Sequence, residues 1–316
     1  MKEAYRNLRA SIRTTLAVAL VLPIVVLTAL HAGITALPEK LIGSRLKKNS
    51  VIPDLIYNTL RVLMGYKIEF NSAAAPLTKD KQTWYVAKHW SIDDFIVLGS
   101  SVKGTFAGKG DILKWPLVAQ LARAVKYIGL RRSREFNPQS IAKLNNNFNE
   151  GNNAIMFPEA TTTKPDKVYL FHAGLITLLF GEKGVDKKGN EVKLAQGVLV
   201  QALAVDVVEV EGSDKLGKIA MRDLYCMHEI TSDFKRAWER MKIGSMKIVI
   251  TPMPPLDPKD YIEGKDLSTP EGRSAAAKDL INTAALQVAN VLNPGQTTFE
   301  KAPIPGMEYK VKTPAA

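Results

Sequence analysis

Within the six residues from His89 to Asp94 stand a histidine, a hydroxyl and two carboxylates: His89, Ser91, Asp93 and Asp94. A histidine with a carboxylate partner is equipment for general-base chemistry near neutral pH. The same letters have a plainer use, because Ser91-Ile92-Asp93-Asp94 fits a capping box, with Ser91 as N-cap and Asp94 favouring the positive end of a helix. The two uses are compatible, since a capped helix start holds a carboxylate rigidly. Two further clusters carry polar chemistry. Arg131, Arg132 and Arg134 form either a solvated turn or a clamp for a phosphate, to which a planar guanidinium is suited. Glu159 with Thr161, Thr162 and Thr163 forms either a loop and helix cap or a polar pocket floor.

Each cluster follows a short apolar run. Trp84-Tyr85-Val86-Ala87 predicts a buried strand ahead of His89, and Phe95-Ile96-Val97-Leu98 resumes the apolar pattern behind Asp94. Lys126 to Leu130 predicts a strand ahead of the arginines, and Asn153 to Phe157 one ahead of Glu159. Gly104 to Gly108 is another, with Lys109 at its end; that lysine could assist with anions or be a plain surface residue. Open α/β sheets place their ligands outside the carboxyl ends of strands, so these clusters converge on one edge. Helices are predicted over Val51 to Phe70 (with Tyr66–Phe70 turning to strand), Trp115 to Val125, Ser140 to Glu150 and Arg273 to Leu292. Val198–Val205 and Met246–Thr251 are further strands. In the 51–70 helix Ile52, Leu55, Ile56, Leu60, Leu63 and Met64 share the apolar side. The fold class is α/β, a mostly parallel central sheet flanked by helices.

The chain of 316 residues carries 43 Lys plus Arg against 31 Asp plus Glu, a net charge of +12. That balance attracts anions. No basic run is interleaved with aromatics, so nucleic acid is not an expected partner. The lone Cys226 excludes an intrachain disulfide framework and a cysteine-based zinc site. Thr14 to Leu37 contains no charged residue and is long enough to span a bilayer. Pro23 and the Gly33 region are expected to kink or break it, and basic residues stand on both flanks. A re-entrant or in-plane membrane anchor is preferred over a single span. The expected organisation is an anchoring segment over 1–50, a catalytic domain over 51–295 and a tail over 296–316, with the protein on an anionic membrane surface at the cytoplasmic face of the inner membrane.

In order along the chain, these clusters resemble the motif blocks of the glycerolipid acyltransferase superfamily, best known for acylating 1-acylglycerol-3-phosphate. The block N-H-x-S-x-x-D matches His89, Ser91 and Asp94, with Lys88 in place of the usual Asn. The strand ending in Arg matches Ile128 to Arg132. F-P-E-G-T matches Phe157-Pro158-Glu159-Ala160-Thr161, with Ala160 for Gly, and the fourth block corresponds to Val200–Leu203, with Ala202 for Pro. The resemblance covers about residues 80 to 255.

It implies transfer of a fatty acyl group from acyl-CoA or acyl-carrier protein, as co-substrate, to a lysolipid hydroxyl. The first acceptor in view is 1-acylglycerol-3-phosphate, with other lysophospholipids and lyso-aminolipids as alternatives. No metal or cofactor is implied. His89 would be the base and Asp94 its partner. Simple helix geometry nominates Asp93, at i+4 from His89; Asp94 serves only if His89 precedes the helix. Arg132 would bind an anionic head group, with Ser91, Lys109, Glu159 and Thr161 binding substrate or fixing the pocket. His31, His172 and His228 read as structural or interfacial. A membrane-associated hydrolase and a silent lipid-binding relative are the competing classes.

Overall fold

The computed structural model describes residues 2–35, 51–114, 119, 121–123, 125–130, 138–185, 191–212, 216–227 and 233–303. Its centre is a seven-stranded sheet. In chain order the strands are β1 (Tyr66–Phe70), β2 (Thr83–Ala87), β3 (Thr105–Lys109), β4 (Ile128–Leu130), β5 (Ala154–Met156), β8 (Leu199–Val210) and β9 (Met246–Pro252), arranged β1-β9-β8-β2-β5-β3-β4. Two short strands, β6 (Lys183–Val185) and β7 (Glu191–Lys193), pair as a separate antiparallel hairpin, which the sequence reading had not anticipated.

All pairings in the main sheet are parallel except β8 with β9. β8 is long enough to serve two neighbours: Leu199–Leu203 pair with β2, and Leu203–Val210 run antiparallel to β9. β2 therefore sits mid-sheet, with Val86 opposite Met156 on one side and Ala202 on the other. All five residues of β2 are buried. A strand covered on both faces has no use for alternation, which explains its unbroken apolar run.

The helices are α1 (Lys2–Thr35), α2 (Val51–Met64), α3 (Asp94–Gly99), α4 (Pro138–Asn149), α5 (Lys218–Cys226), α6 (Asp233–Lys242) and α7 (Pro270–Leu292). α7 starts three residues earlier than the periodicity predicts, because Thr269 caps it (Oγ1 accepting from Gly272 N at 3.1 Å) and Pro270 suits a first turn. Its buried Ala276, Ala277, Leu280, Ile281, Ala284, Ala285, Val288 and Ala289 let it lie close on the sheet. In α2 the expected apolar side is only partly inward: Ile56, Tyr57, Leu63 and Met64 are buried, but Leu55 is half-exposed. Much of the expected helix 115–125 lies outside the described residues.

α1 runs unbroken through Pro23, where a kink or a break was expected. Its first turns dock on the domain. Ala10 is fully buried, Arg9 pairs with Glu211 at 3.1 Å, and the Arg13 guanidinium donates to the carbonyls of Met241 and Ile243. Two arginines that looked like a basic membrane flank are thus spent on docking. Tyr5, Leu8, Ile12, Leu16, Val18 and Leu20 face outward. Among the described residues, no helix is long and apolar enough to cross a membrane. At the other end, Gln296 and Glu300 strap the chain onto segment 167–170 through bonds from Val168 N to Gln296 Oε1 (2.9 Å) and Leu170 N to Glu300 O (2.8 Å).

Candidate active site

The chain leaves β2 at Ala87 and enters α3 at Asp94, so His89 lies in the connecting turn and not on the helix. From that turn its Nδ1 meets Asp94 Oδ2 at 2.8 Å, while the same oxygen accepts the backbone N–H groups of Trp90 (2.7 Å) and Ser91 (3.0 Å). An ionised carboxylate has no proton to give, so opposite it the ring nitrogen Nδ1 is the donor and Nε2 is left to take a proton. The ring is held from its faces as well. Phe157 stacks on it at 4.2 Å between centroids with an 8° interplanar angle, and Phe95 meets it edge-on at 5.9 Å. Asp94 is 1% exposed, whereas the histidine side chain retains 13%.

The capping box forms by halves. Asp94 reaches back to the Ser91 N–H as a box carboxylate does, but α3 begins at Asp94 with Asp93 before it, and no side chain caps the helix start. The Ser91 hydroxyl instead lies 3.4 Å from both Asp93 N and Asp93 Oδ2. Ser91 as N-cap is therefore corrected: the backbone tightens into two successive i→i+3 turns (Asp94 N to Ser91 O, Phe95 N to Ile92 O) before the helix. Ser91 is 1% exposed.

Beneath this turn lies a sealed polar chamber. Glu159, on the loop after β5, is fully buried and uses both oxygens: Oε2 accepts from His89 N (3.1 Å) and Thr163 Oγ1 (2.7 Å), and Oε1 from Tyr169 N (2.7 Å) and Lys88 Nζ (3.4 Å). Lys88 also donates to Thr163 Oγ1 (2.6 Å) and the Lys167 carbonyl (2.7 Å). Burial lowers the pKa of this ammonium, and the Glu159 carboxylate works in the opposite direction. Glu159, expected to bind substrate or fix the pocket, is bonded to the backbone of the residue that carries the imidazole. The lysine that replaces an asparagine in the motif is the counter-charge of the motif's own glutamate.

The remaining expected residues spread out. Thr161 is half-buried beside the chamber, while Thr163, which sequence reading had not separated from its neighbours, does the bonding. Lys109 is exposed and pairs with Asp111 at 3.2 Å. Arg132, with Arg131 and Arg134, lies outside the described residues, as does His228. Ala160 adopts φ 62°, a left-handed conformation in which glycine is unstrained and alanine is not.

Three residues far along the chain complete the site without any motif to announce them. Tyr225 Oη donates to Asp94 Oδ1 at 2.7 Å, Arg240 Nε reaches Asp93 Oδ2 at 3.1 Å, and the Arg240 guanidinium also donates to the Tyr225 carbonyl. Arg222, in a two-pronged pair with Asp206 (2.7 and 2.9 Å), lies over the Trp90 ring at 5.3 Å. An arginine in the polar run Asp233–Lys242 reads as solvated, and only the fold shows otherwise.

The arrangement can take a proton from a weak nucleophile at His89 Nε2 and stabilise the imidazolium through Asp94. The Acyltransferase family model matches residues 71–181. A lyso-ornithine lipid O-acyltransferase from Rhodobacter capsulatus is 27% identical over 184 residues, which cover 58% of this chain and 60% of that protein. One from Pseudomonas aeruginosa is 32% identical over 92 residues, 29% of this chain and 36% of that protein. The chain thus spans less than two thirds of the length of these curated relatives. The crystal structure of the 1-acyl-sn-glycerophosphate (LPA) acyltransferase PlsC from Thermotoga maritima aligns with a TM-score of 0.48 at 15% identity, covering 90% of this chain and 95% of that one. The resemblance read from the motif blocks agrees with the match of the Acyltransferase family model to residues 71–181. The matched region contains His89 and Asp94 and stops short of Tyr225 and Arg240.

Proposed function

We propose that this chain transfers a fatty acyl group from an acyl thioester to the hydroxyl of a lysolipid, with His89 as general base. The observation that carries the reading is the 2.8 Å contact of His89 Nδ1 with Asp94 Oδ2 inside the region matched by the Acyltransferase family model. A hydroxyl is a weak nucleophile at neutral pH and needs its proton removed as it attacks. The acceptor oxygen bonds to the thioester carbonyl carbon while its proton passes to His89 Nε2. Collapse of the tetrahedral intermediate breaks the C–S bond, and the proton returns to the departing thiolate. The products are an ester and a free thiol, and no acyl-enzyme is required.

The acceptor favoured is a lyso-ornithine lipid, which the activity of both curated relatives supports. 1-Acylglycerol-3-phosphate is the competing acceptor, for which Arg132 in the second motif block speaks. Acyl-CoA and acyl-carrier protein are the candidate donors. A membrane surface is the proposed setting, supported by the outward apolar side chains of α1. Purified protein incubated with each donor and a panel of lysolipids, with products identified by mass, tests the reading. Conversion of lyso-ornithine lipid to its diacylated form is expected. Release of free fatty acid alone would turn the site into a hydrolase, and no turnover with any pair would overturn the proposal.

A further inference from the structure

The Asp94 carboxylate is held in two different ways. Its Oδ2 takes three donors, all from its own turn: His89 Nδ1, Trp90 N and Ser91 N. Cβ, Cγ and Oδ2 already define the plane of the carboxylate, so how rigidly it is held depends on how firmly each oxygen is anchored. An aspartate's χ2 is broad, so the side chain supplies little resistance of its own. The second oxygen ties the carboxylate to another element: its donor is Tyr225 Oη of α5 at 2.7 Å.

Tyr225 is built to hold that position. It is completely buried, its carbonyl accepts from the Arg240 guanidinium, and its ring lies 5.1 Å from that guanidinium and edge-on to Tyr66 at 6.1 Å. Arg240 closes on Asp93 at 3.1 Å, so a circuit of contacts runs from one carboxylate at the start of α3, through α6 and α5, to the next carboxylate. Burial, and then the charge of Asp94, hold the phenol pKa well above its ordinary value, so the hydroxyl remains a donor.

We propose that Tyr225 is a positioning residue for acyl transfer, anchoring the Asp94 carboxylate from outside its own turn and through it the His89 ring. The inference rests on the reading of His89 and Asp94 as the reacting pair. It assigns a role to a residue outside the region that the family model covers.

The test compares Tyr225→Phe, which removes one oxygen and keeps the ring, with Tyr66→Phe, which removes a buried hydroxyl from the same aromatic cluster and touches none of the hydrogen bonds of Asp94. Tyr225→Phe is expected to lower kcat about tenfold to a hundredfold, the span of a hydrogen bond to a charged group, with KM for acceptor and donor nearly unchanged. Tyr66→Phe is expected to leave kcat unchanged. Thermal midpoints supply an independent cycle: Tyr225→Phe should cost more stability in the wild-type background than in Asp94→Asn, because the charge it strands is gone from the latter. An unchanged kcat would overturn the proposal. So would an equal loss of stability in both backgrounds, or failure to fold in both, since the hydroxyl would then be a packing requirement unconnected with Asp94. If Tyr225→Phe folds only in the Asp94→Asn background, the coupling is upheld. Full activity of His89→Ala would instead bring down the reading of the site itself.

Discussion

Asp93 turns away from His89 and closes on Arg240, Oδ2 to Nε at 3.1 Å, with both side chains buried. The neighbouring carboxylate, Asp94, takes the histidine. Adjacent residues of one type thus have separate duties, one to the imidazole and one to the helix behind it. Asp93→Asn is expected to cost about 3 kcal/mol or more, since it leaves a buried guanidinium uncompensated. The folded variant should keep turnover within a few-fold of wild type. Thermal melts beside kcat separate the two effects. A variant as stable as wild type would mean that the pair contributes nothing to the fold.

Lys88 and Glu159 form the second buried pair, and removing either partner alone strands the other. Lys88→Met is expected to cost about 3–5 kcal/mol. In Lys88→Met/Glu159→Gln the stranded charge is gone, so the double variant should be less destabilised than the two single changes summed. Denaturant midpoints measure this. Strict additivity would show that the two groups do not interact.

Ala160 holds a left-handed backbone at φ 62°. Relief of that strain is worth about 1–2 kcal/mol, against which the added freedom of glycine in the unfolded chain costs about 0.4–1 kcal/mol. Ala160→Gly is therefore expected to stabilise the protein by up to about 1.5 kcal/mol. A lowered thermal midpoint would refute this.

On α1, Leu8, Ile12 and Leu16 are more than two-fifths exposed, while Ala10 and Arg13 anchor the same helix to the domain. Replacing the three apolar residues with serine should leave the melting point nearly unchanged and reduce sedimentation with vesicles of phosphatidylglycerol and phosphatidylethanolamine. Unchanged sedimentation would remove this face from membrane binding. Deleting residues 1–37 is a poorer test, because it also strips the Arg9–Glu211 and Arg13 contacts.

Strands β2, β5 and β9 were legible because buried parallel or mid-sheet segments are written as compact apolar runs between turn signals. The His89–Asp94 contact was legible through the motif blocks, although simple helix spacing pointed to Asp93. Its geometry was not, since a turn of two i→i+3 bonds ahead of α3 leaves no periodic trace. Tyr225, Arg240 and Arg222 were out of reach. They approach the site through tertiary packing across more than a hundred residues of chain, and in sequence they are indistinguishable from the polar faces of ordinary helices. Lys88 was seen as a departure from the motif, but its meaning as the counter-charge of Glu159 required the chamber.

The most direct measurement is the turnover of His89→Ala with lyso-ornithine lipid and an acyl thioester, product followed by mass, on protein whose melting point matches wild type. A positioned general base is worth about a hundredfold to ten-thousandfold in rate, and a loss of at least that size in kcat is expected. Turnover within a few-fold of wild type would contradict the assignment of His89 as the base.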